Sequence, residues 1–356
     1  MSSEIGLIRA RVLPHYSIAA TAEVAPLGNG LINETYLLTD PERGQLVLQR
    51  VNPLFSPAIH QNIRAVTEAL VRRGLPTPVL LATNEGRDCL LLPRTDTEAS
   101  PSVWRLSTYV KGHSFDVAAS DRQARAAGAL IARFHRALDG LEHTFVGLRG
   151  AVHDTPRHLE ALRRAINSHA GHRLHPEVAA LGTALLEAGD PLPPLPAVAP
   201  RVCHGDLKFN NVLFAGSQGP DSEAAVCLVD LDTVGPLDLA YELGDAWRSW
   251  CNRRGEDAPE AALDLDVFTA SLDGYREEVG RTLSVDERQG LLLGPEWISL
   301  ELAARFAADA LVEAYFGWDP GRFSGRGEHN LTRARGQFSL HRSFVATRAQ
   351  RARALG

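Results

Sequence analysis

The sequence predicts an α+β protein of two lobes, a small antiparallel-sheet lobe over residues 1–111 and a larger, mainly helical lobe over residues 112–356. Three observations predict it. Strand-like runs crowd the chain before Val110, whereas 3.6-residue apolar periodicity dominates after Ser120. Gly112 breaks the last early strand and opens the second part. A short β-type interlude, Val202–Phe214 and Val226–Asp232, then interrupts the helical region and carries its acids at loop positions.

Taken in order, residues 1–20 form a short helix packed outside the first lobe, interrupted at Pro14. Ala22–Asn52 reads as strands, with Gly28 and Gly30 in a turn and Leu46–Arg50 as the third strand. Ser56–Arg73 is a helix, because Ile59, Ile63, Val66 and Leu70 share one stripe and Gly74 and Pro76 stop it. Glu68 points away from that stripe, so it reads as a solvated residue. Val79–Leu92 is a hairpin through Asn84-Glu85-Gly86, and Trp104–Val110 is another strand. Ser120 starts a capping box whose helix buries Ala124, Ala127, Ile131, Phe134 and Leu138, with His135 beside the stripe as a packed histidine. Glu160–Ala188 is helical. His169, His172 and His175 step by three there, but Gly171, Pro176 and the lack of a completing carboxylate argue against a metal face. Asp190–Pro200 is a proline-rich connector. Pro295–Phe316 is a long helix with apolar Ile298, Leu302, Phe306 and Ala310, and with Glu301, Arg305, Asp309 and Glu313 as a solvated ridge.

Composition bounds the function. Of the residues 44% are apolar and 22% charged, as in a soluble globular protein. A net charge of −6 argues against a nucleic-acid binder. No apolar run approaches the ~18 residues of a membrane span, and no signal-peptide core follows Met1. Cys89, Cys203, Cys227 and Cys251 form no C-x-x-C and read as reduced thiols of a cytoplasmic protein. Oligomeric state is not readable.

The chemistry sits in His204-Gly-Asp206-x-Lys208-x-x-Asn211 and in Asp230 after it. This is the spacing of a kinase catalytic loop, with Gly205 in place of arginine and Asp230 at the metal-binding aspartate after the next strand. Phosphoryl transfer from ATP needs these groups: Asp206 as base, Asn211 and Asp230 as Mg2+ ligands, and Lys208 as the cation near the transferred group. Lys111 and Lys208 are the only lysines in an arginine-using chain, so Lys208 is read as a phosphate partner. The turn at Gly28 and Gly30, with Asn33 and Thr35 after it, is either a plain hairpin or a loop over the nucleotide phosphates. Gln49 stands where kinases place the phosphate-binding lysine, which leaves the clamp open. Tyr109 and Val110 fall at the hinge that would meet adenine. Asp232, on the same strand face as Asp230, either supports the metal from behind its ligand or is merely a strand-end acid, and His204 supports the loop.

His204-Gly-Asp-x4-Asn211 followed by Leu228-Val-Asp-Leu-Asp-Thr233 resembles the aminoglycoside phosphotransferase superfamily. Gly30-Leu-Ile-Asn-Glu-Thr-Tyr36, Leu48-Gln-Arg-Val-Asn52, Gly244-Asp-Ala-Trp-Arg248, Arg305 to Phe316, and Asn330-Leu-x-Arg333 with Gln337 are similar to segments of the N-acetylhexosamine 1-kinases. The resemblance spans residues 28–345 and implies a two-lobed, protein-kinase-like fold with ATP between the lobes. It implies phosphorylation of the anomeric hydroxyl of N-acetylglucosamine or N-acetylgalactosamine, with Asp245 bracing the catalytic loop and Arg305 and Tyr315 on the sugar. Trp297, Trp318 and Tyr241 are further sugar-stacking candidates or core rings. Two alternatives stay open: a kinase of another small alcohol (an aminoglycoside, choline, homoserine or a different sugar), and a nucleotide-binding pseudokinase module, which Gln49 would suit.

Overall fold

The structure, a computed structural model, describes residues 2–28, 33–93, 101–150, 153–216 and 223–356. The chain forms two compact units. One holds residues 1–111, 137–149 and 229–235; the other holds 112–136, 150–228 and 236–356.

In the first unit, α1 (Ser2–Leu7) and two tight helical turns reaching Tyr16 precede a single antiparallel sheet. Its strands are β1 (Glu23–Pro26), β2 (Glu34–Asp40), β3 (Gly44–Val51), β4 (Leu80–Leu81), β5 (Leu90–Leu92) and β6 (Ser102–Thr108). They run in the order β1-β2-β3-β6-β4, with β5 also on β6. Alternation sends Tyr36, Leu38, Leu46, Leu48, Trp104 and Leu106 to one face, where Ile8, Val12, Leu13 and Tyr16 cover them. The Tyr16 hydroxyl donates to the Trp104 carbonyl oxygen at 2.9 Å, so the N-terminal segment is tied to the central strand. The intervening positions put Thr35, Gln49 and Arg105 in register across β2, β3 and β6 on the opposite face.

The expected 79–92 hairpin is corrected. β4 and β5 do not pair with each other; both pair with β6, Leu81 opposite Leu106 and Leu90 opposite Trp104. The Thr83–Arg87 turn between them closes on itself, with Gly86 at φ 77°, which only glycine adopts without strain. Helix α2 (Ile59–Arg72) buries the expected stripe of Ile59, Ile63, Val66 and Leu70, and Glu68 is exposed beside Arg64.

The second unit is built from α3 (Asp121–Leu138), α4 (Thr155–Ser168), α5 (His175–Gly189), α6 (Leu239–Trp250), α7 (Leu265–Glu278), α8 (Val285–Val312), α9 (Arg326–Ala346) and α10 (Arg348–Leu355). Between α5 and α6 run β7 (Arg201–Cys203), the β8 (Val212–Phe214) and β9 (Ala225–Leu228) hairpin, and β10 (Gly235–Leu237). Helix α8 is the axis of this unit. Leu300, Ala303, Ala304, Phe306, Ala307, Ala310 and Leu311 pack against Leu162 and Ala165 of α4, Val178 and Leu185 of α5, and Leu331 and Ala334 of α9. A Cβ on Gly244 would lie 2.8 Å from the Gly294 carbonyl carbon, and one on Gly294 would strike the Ala240 carbonyl oxygen. The backbones of α6 and α8 therefore touch, and only glycine allows it.

The expected Pro295–Phe316 helix is also corrected. Pro295 lies inside α8, which begins at Val285, where Ser284 and Glu287 form a reciprocal capping box. It ends at Val312, because Glu313 turns left-handed (φ 54°) and the Asp309 carboxylate accepts the N–H groups of Ala314, Tyr315 and Phe316 at 2.9–3.0 Å. The predicted charged ridge is not solvated: Glu301 is 1% and Asp309 5% exposed, each hydrogen-bonded inside the unit. No described helix is long and apolar enough to cross a membrane.

The cap gives a stability prediction. Hydrogen bonds from Arg281 pull the Glu287 carboxyl from 4.5 to about 2; burial opposes this, and the Ser284 N–H and the Arg281 charge reinforce it. A folded-state pKa below the unfolded value stabilises above pH 4.5, and that stabilisation disappears as pH falls towards 2. Glu287→Gln should be less stable than wild type by about 1–2 kcal/mol at neutral pH. Urea unfolding at successive pH values should show the gap closing in the acid range; a gap that stays constant would refute the ionic contribution.

Candidate active site

Cys203 closes β7, and the chain then turns sharply through Gly205, whose φ of 81° explains why glycine stands where kinase loops carry arginine. Two buried main-chain donors at that turn need acceptors. Glu242, on the first turn of α6, supplies both: Oε1 accepts the His204 N–H at 2.8 Å and Oε2 the Gly205 N–H at 2.9 Å. His135 Nε2 lies 3.3 Å from Oε1, and its Nδ1 lies 3.0 Å from the Tyr275 hydroxyl. His135 is thus a packed histidine of the loop's support, 2% exposed. Burial works against the Glu242 charge, but the His135 bond and the loop N–H groups outweigh it and hold the carboxyl below its ordinary range. His135, Cys203 and Glu242 bring ligand-type atoms within 4.8 Å of one another, yet Glu242 and His135 are engaged with the loop and with Tyr275.

Farther along α6, Trp250 Nε1 donates to the Leu207 carbonyl oxygen at 2.7 Å and Ser249 Oγ accepts the Phe209 N–H at 3.3 Å. Fully buried His204 accepts the Asp206 N–H at Nδ1, 3.3 Å away. A tight turn over Phe209–Asn211 follows, in which Asn211 Nδ2 donates to the Asp206 carbonyl oxygen at 2.8 Å. That bond fixes the amide orientation and turns Oδ1 into the ligand-type end. Lys208 Nζ lies 3.1 Å from Asp206 Oδ2. Burial raises the Asp206 carboxyl above its ordinary value, the Lys208 charge opposes this, and the Asp245 charge adds to it.

Asp245, expected to brace this loop, is bonded to Arg248 and acts on Asp206 through its charge. Its Oδ1 accepts Arg248 Nε and Nη2 at 2.9 and 2.8 Å, while the loop's own N–H groups are received by Glu242. Sequence reading missed Glu242, although a buried acid one turn before Asp245 on the same apolar helix was a signal.

The first unit holds the other predicted groups. Asp230 follows β9 in the left-handed region (φ 65°) and opens a tight turn over Leu231–Thr233. The expectation that Asp230 and Asp232 share a strand face is therefore corrected: this stretch is not a strand. Asp232, with its side chain 2% exposed, forms an ion pair with Arg105 and accepts Asn33 Nδ2 at 2.7 Å. Asn33 Oδ1 in turn accepts the Asn52 N–H at 2.9 Å, so both ends of that amide are engaged. Gln49 donates to Thr35 Oγ1 at 3.1 Å and accepts from Arg105 Nε at 2.9 Å. Arg105 had no place in the sequence reading, yet it is a buried cation beside the position that lacks a lysine. Tyr109 and Val110 follow β6, half-buried; Gly30 lies outside the described residues.

Back in the second unit, Tyr315 lies in the loop beyond α8 rather than on the helix, 47% exposed, with the Arg305 guanidinium 5.8 Å from its ring centroid. Asn330 Nδ2 donates to Asp309 Oδ2 at 2.9 Å, and Arg333 donates to Asp257 and to the Gly317 carbonyl oxygen. The Asn330–Arg333 segment thus holds the loop that presents Tyr315. Trp297 donates to the Pro193 carbonyl oxygen at 2.9 Å, and Tyr241 stacks on His153 at 4.9 Å. His169, His172 and His175 each bond a different acceptor: Ala165 O, Glu313 Oε1 and Ile166 O.

A hard divalent cation prefers oxygen ligands. Asn211 and Asp230 are of that type, and the committed Nδ2 of Asn211 suits its amide to the role.

An antiparallel-sheet unit and a larger helical unit, with an Asp-x4-Asn loop carried by the latter, give the protein-kinase-like fold of small-molecule phosphotransferases. The chain belongs to the phosphotransferase enzyme family, which it matches over residues 23–278. Among solved structures, it is similar to a microcompartment-associated aminopropanol kinase at 17% identity, covering 97% of this chain and 98% of that one, with a TM-score of 0.63. It is similar to an amicoumacin kinase in complex with AMP-PNP, Ca2+ and Ami at 14% identity, 94% and 95% coverage and a TM-score of 0.58. An aminoglycoside phosphotransferase from Alicyclobacillus acidocaldarius matches at 16% identity, 96% and 95% coverage and a TM-score of 0.57. At these identities the likeness speaks for the fold.

The loop electrostatics give a prediction. The Lys208 charge holds the Asp206 carboxyl down, so Lys208→Met raises it further. The acid limb of the kcat/KM profile should therefore move to higher pH in the variant. A limb that stays in place while the plateau falls would show that Lys208 does not tune Asp206.

Proposed function

We propose that the protein transfers the γ-phosphoryl group of ATP to a small-molecule hydroxyl, the anomeric 1-OH of an N-acetylhexosamine such as GlcNAc or GalNAc. The observation that carries the reading is the Asp206–Lys208 pair at 3.1 Å, on a loop pinned at both ends by α6, with Asn211 bonded back to Asp206.

Asp206 accepts the acceptor's hydroxyl proton and orients its oxygen; its raised pKa makes it a better base than an ordinary carboxylate. Lys208 steadies the carboxylate and faces the transferred group as a point charge. Asn211 and Asp230 are the oxygen-bearing side chains that would hold Mg2+, and bound Mg2+ would offset charge on the phosphates. The rest is positioning, and no covalent enzyme intermediate is required.

Support for a sugar acceptor comes from Arg305 and Tyr315, an exposed ring with a guanidinium over it, the amphipathic combination that suits a sugar face. A cationic amino alcohol is the second reading, favoured by the Asp245 charge acting on Asp206. Arg248 largely neutralises that charge with two hydrogen bonds, which favours a neutral acceptor.

Asp206→Asn should lower kcat by about 10²–10⁴-fold while leaving Mg·ATP affinity near wild type. Mass spectrometry of products from free sugars, amino sugars and amino alcohols identifies the acceptor. Full turnover in the variant would remove the base assignment. Phosphorylation of amino alcohols but of no sugar would replace the acceptor reading.

A further inference from the structure

The first unit contains a buried charge arrangement that the proposed chemistry leaves unexplained. Arg105 lies in the middle of β6, a strand flanked by β3 on one side and by β4 and β5 on the other, and is 4% exposed. Burying an arginine and an aspartate together is close to neutral or unfavourable for stability compared with apolar side chains of the same volume. Stability alone therefore gives little reason for the pair. Geometry gives another. The guanidinium fork reaches two partners at once: Nε donates to Gln49 Oε1 on the neighbouring strand at 2.9 Å, and Nη1 meets Asp232. Asn33 closes the other oxygen of Asp232 at 2.7 Å. Two residues before Asp232, Asp230 holds a left-handed backbone (φ 65°) that is unfavourable for a non-glycine residue. Such a conformation persists where the surroundings over-determine it, and the anchored Asp232 is that surrounding. The Arg105 charge also feels Asp230 as well as Asp232.

We propose that Arg105 replaces the lysine that β3 lacks, as a positioning residue that acts through Asp232 to hold the turn carrying Asp230 in its ligand-ready conformation. Gln49 is then a spacer: a neutral amide that lets a cation one strand farther away pass its charge to the same turn. A lysine at position 49 together with Arg105 would place two buried cations side by side. The proposal names the device behind the metal ligand and rests on the reading of Asp230 given above.

The experiment uses the full-length protein, wild type and three variants: R105M, R105M/D232N and R105M/Q49K. Amide hydrogen exchange without ligand reads the turn directly, and calorimetric titration with ATP, in Mg2+ and in EDTA, reads its consequence. R105M leaves the buried Asp232 carboxylate without its cation and is the variant most prone to misfold; R105M/D232N removes that carboxylate and keeps the test sound. In R105M/D232N, residues 229–235 should lose protection while β2 and β3 keep theirs. Affinity for ATP should fall about 10–100-fold in Mg2+ and less than about threefold in EDTA, the pattern of a lost outer partner of a metal ligand. R105M/Q49K should recover part of the Mg2+-dependent affinity, because a lysine restores one charge to Asp232. Wild-type protection and wild-type Mg·ATP affinity in R105M/D232N would overturn the proposal. Equal losses in Mg2+ and in EDTA would overturn it too, since they would make Arg105 a direct phosphate contact. If the wild type bound no nucleotide, the functional reading would fall, and the exchange data would still decide whether Arg105 holds the turn.

Discussion

The carboxylate of Glu242 is the constraint on which the second unit depends. Two consecutive main-chain N–H groups, those of His204 and Gly205, point at it from the turn that launches the Asp206–Asn211 loop. A buried carboxylate with several donors is rigid and charged, and leaving it or its donors unpaired would be severely unfavourable. Much of the surrounding architecture serves to hold it. His135 and Tyr275 bring α3 and α7 to it. The glycine contact of α6 with α8 fixes the height of the helix that carries it, and α8 is itself locked into the main core. The loop's chemistry thus inherits its precision from a helix crossing rather than from the loop's own residues.

The first unit solves a parallel problem with different means. Its anchored acid is Asp232, and its donors are side chains from two separate places, Arg105 of β6 and Asn33 ahead of β2, with Gln49 accepting from Arg105 behind them. In the second unit the anchor is a carboxylate receiving main-chain donors. Here the anchored carboxylate sits on the turn itself, and side chains of and beside the sheet supply the donors. In both, a left-handed residue, Gly205 or Asp230, sits next to the anchored stretch, which is where a sharp redirection of the backbone is needed to aim one side chain.

Legibility in the sequence followed the distance over which a feature is encoded. The Asp206, Lys208 and Asn211 loop could be read because its spacing and its internal Asn211–Asp206 bond are local. α2 was legible from its period and β2, β3 and β6 from their strand-like runs, whereas the pairing of β4 and β5 with β6 was not. Glu242 and Arg105 were not, because their partners lie 38 and 127 positions away. Arg105 did leave a trace, a charged residue in the middle of a strand otherwise fit for a core. The helix was read as starting at Pro295, whereas the Ser284–Glu287 capping box starts α8 at Val285. Its end was misread because Asp309, placed by period on a solvated ridge, instead turns inward to cap the helix.

That cap has a consequence for how such a scaffold diversifies. Asp309 grips the chain after α8 only by amide hydrogens, three in succession, and Asn330 steadies it from behind. The path of residues 314–316 is therefore set by main-chain bonds, to which Phe316 adds a ring packed on Phe306. Tyr315, 47% exposed and held through its own N–H, can change its side chain without loss of that grip.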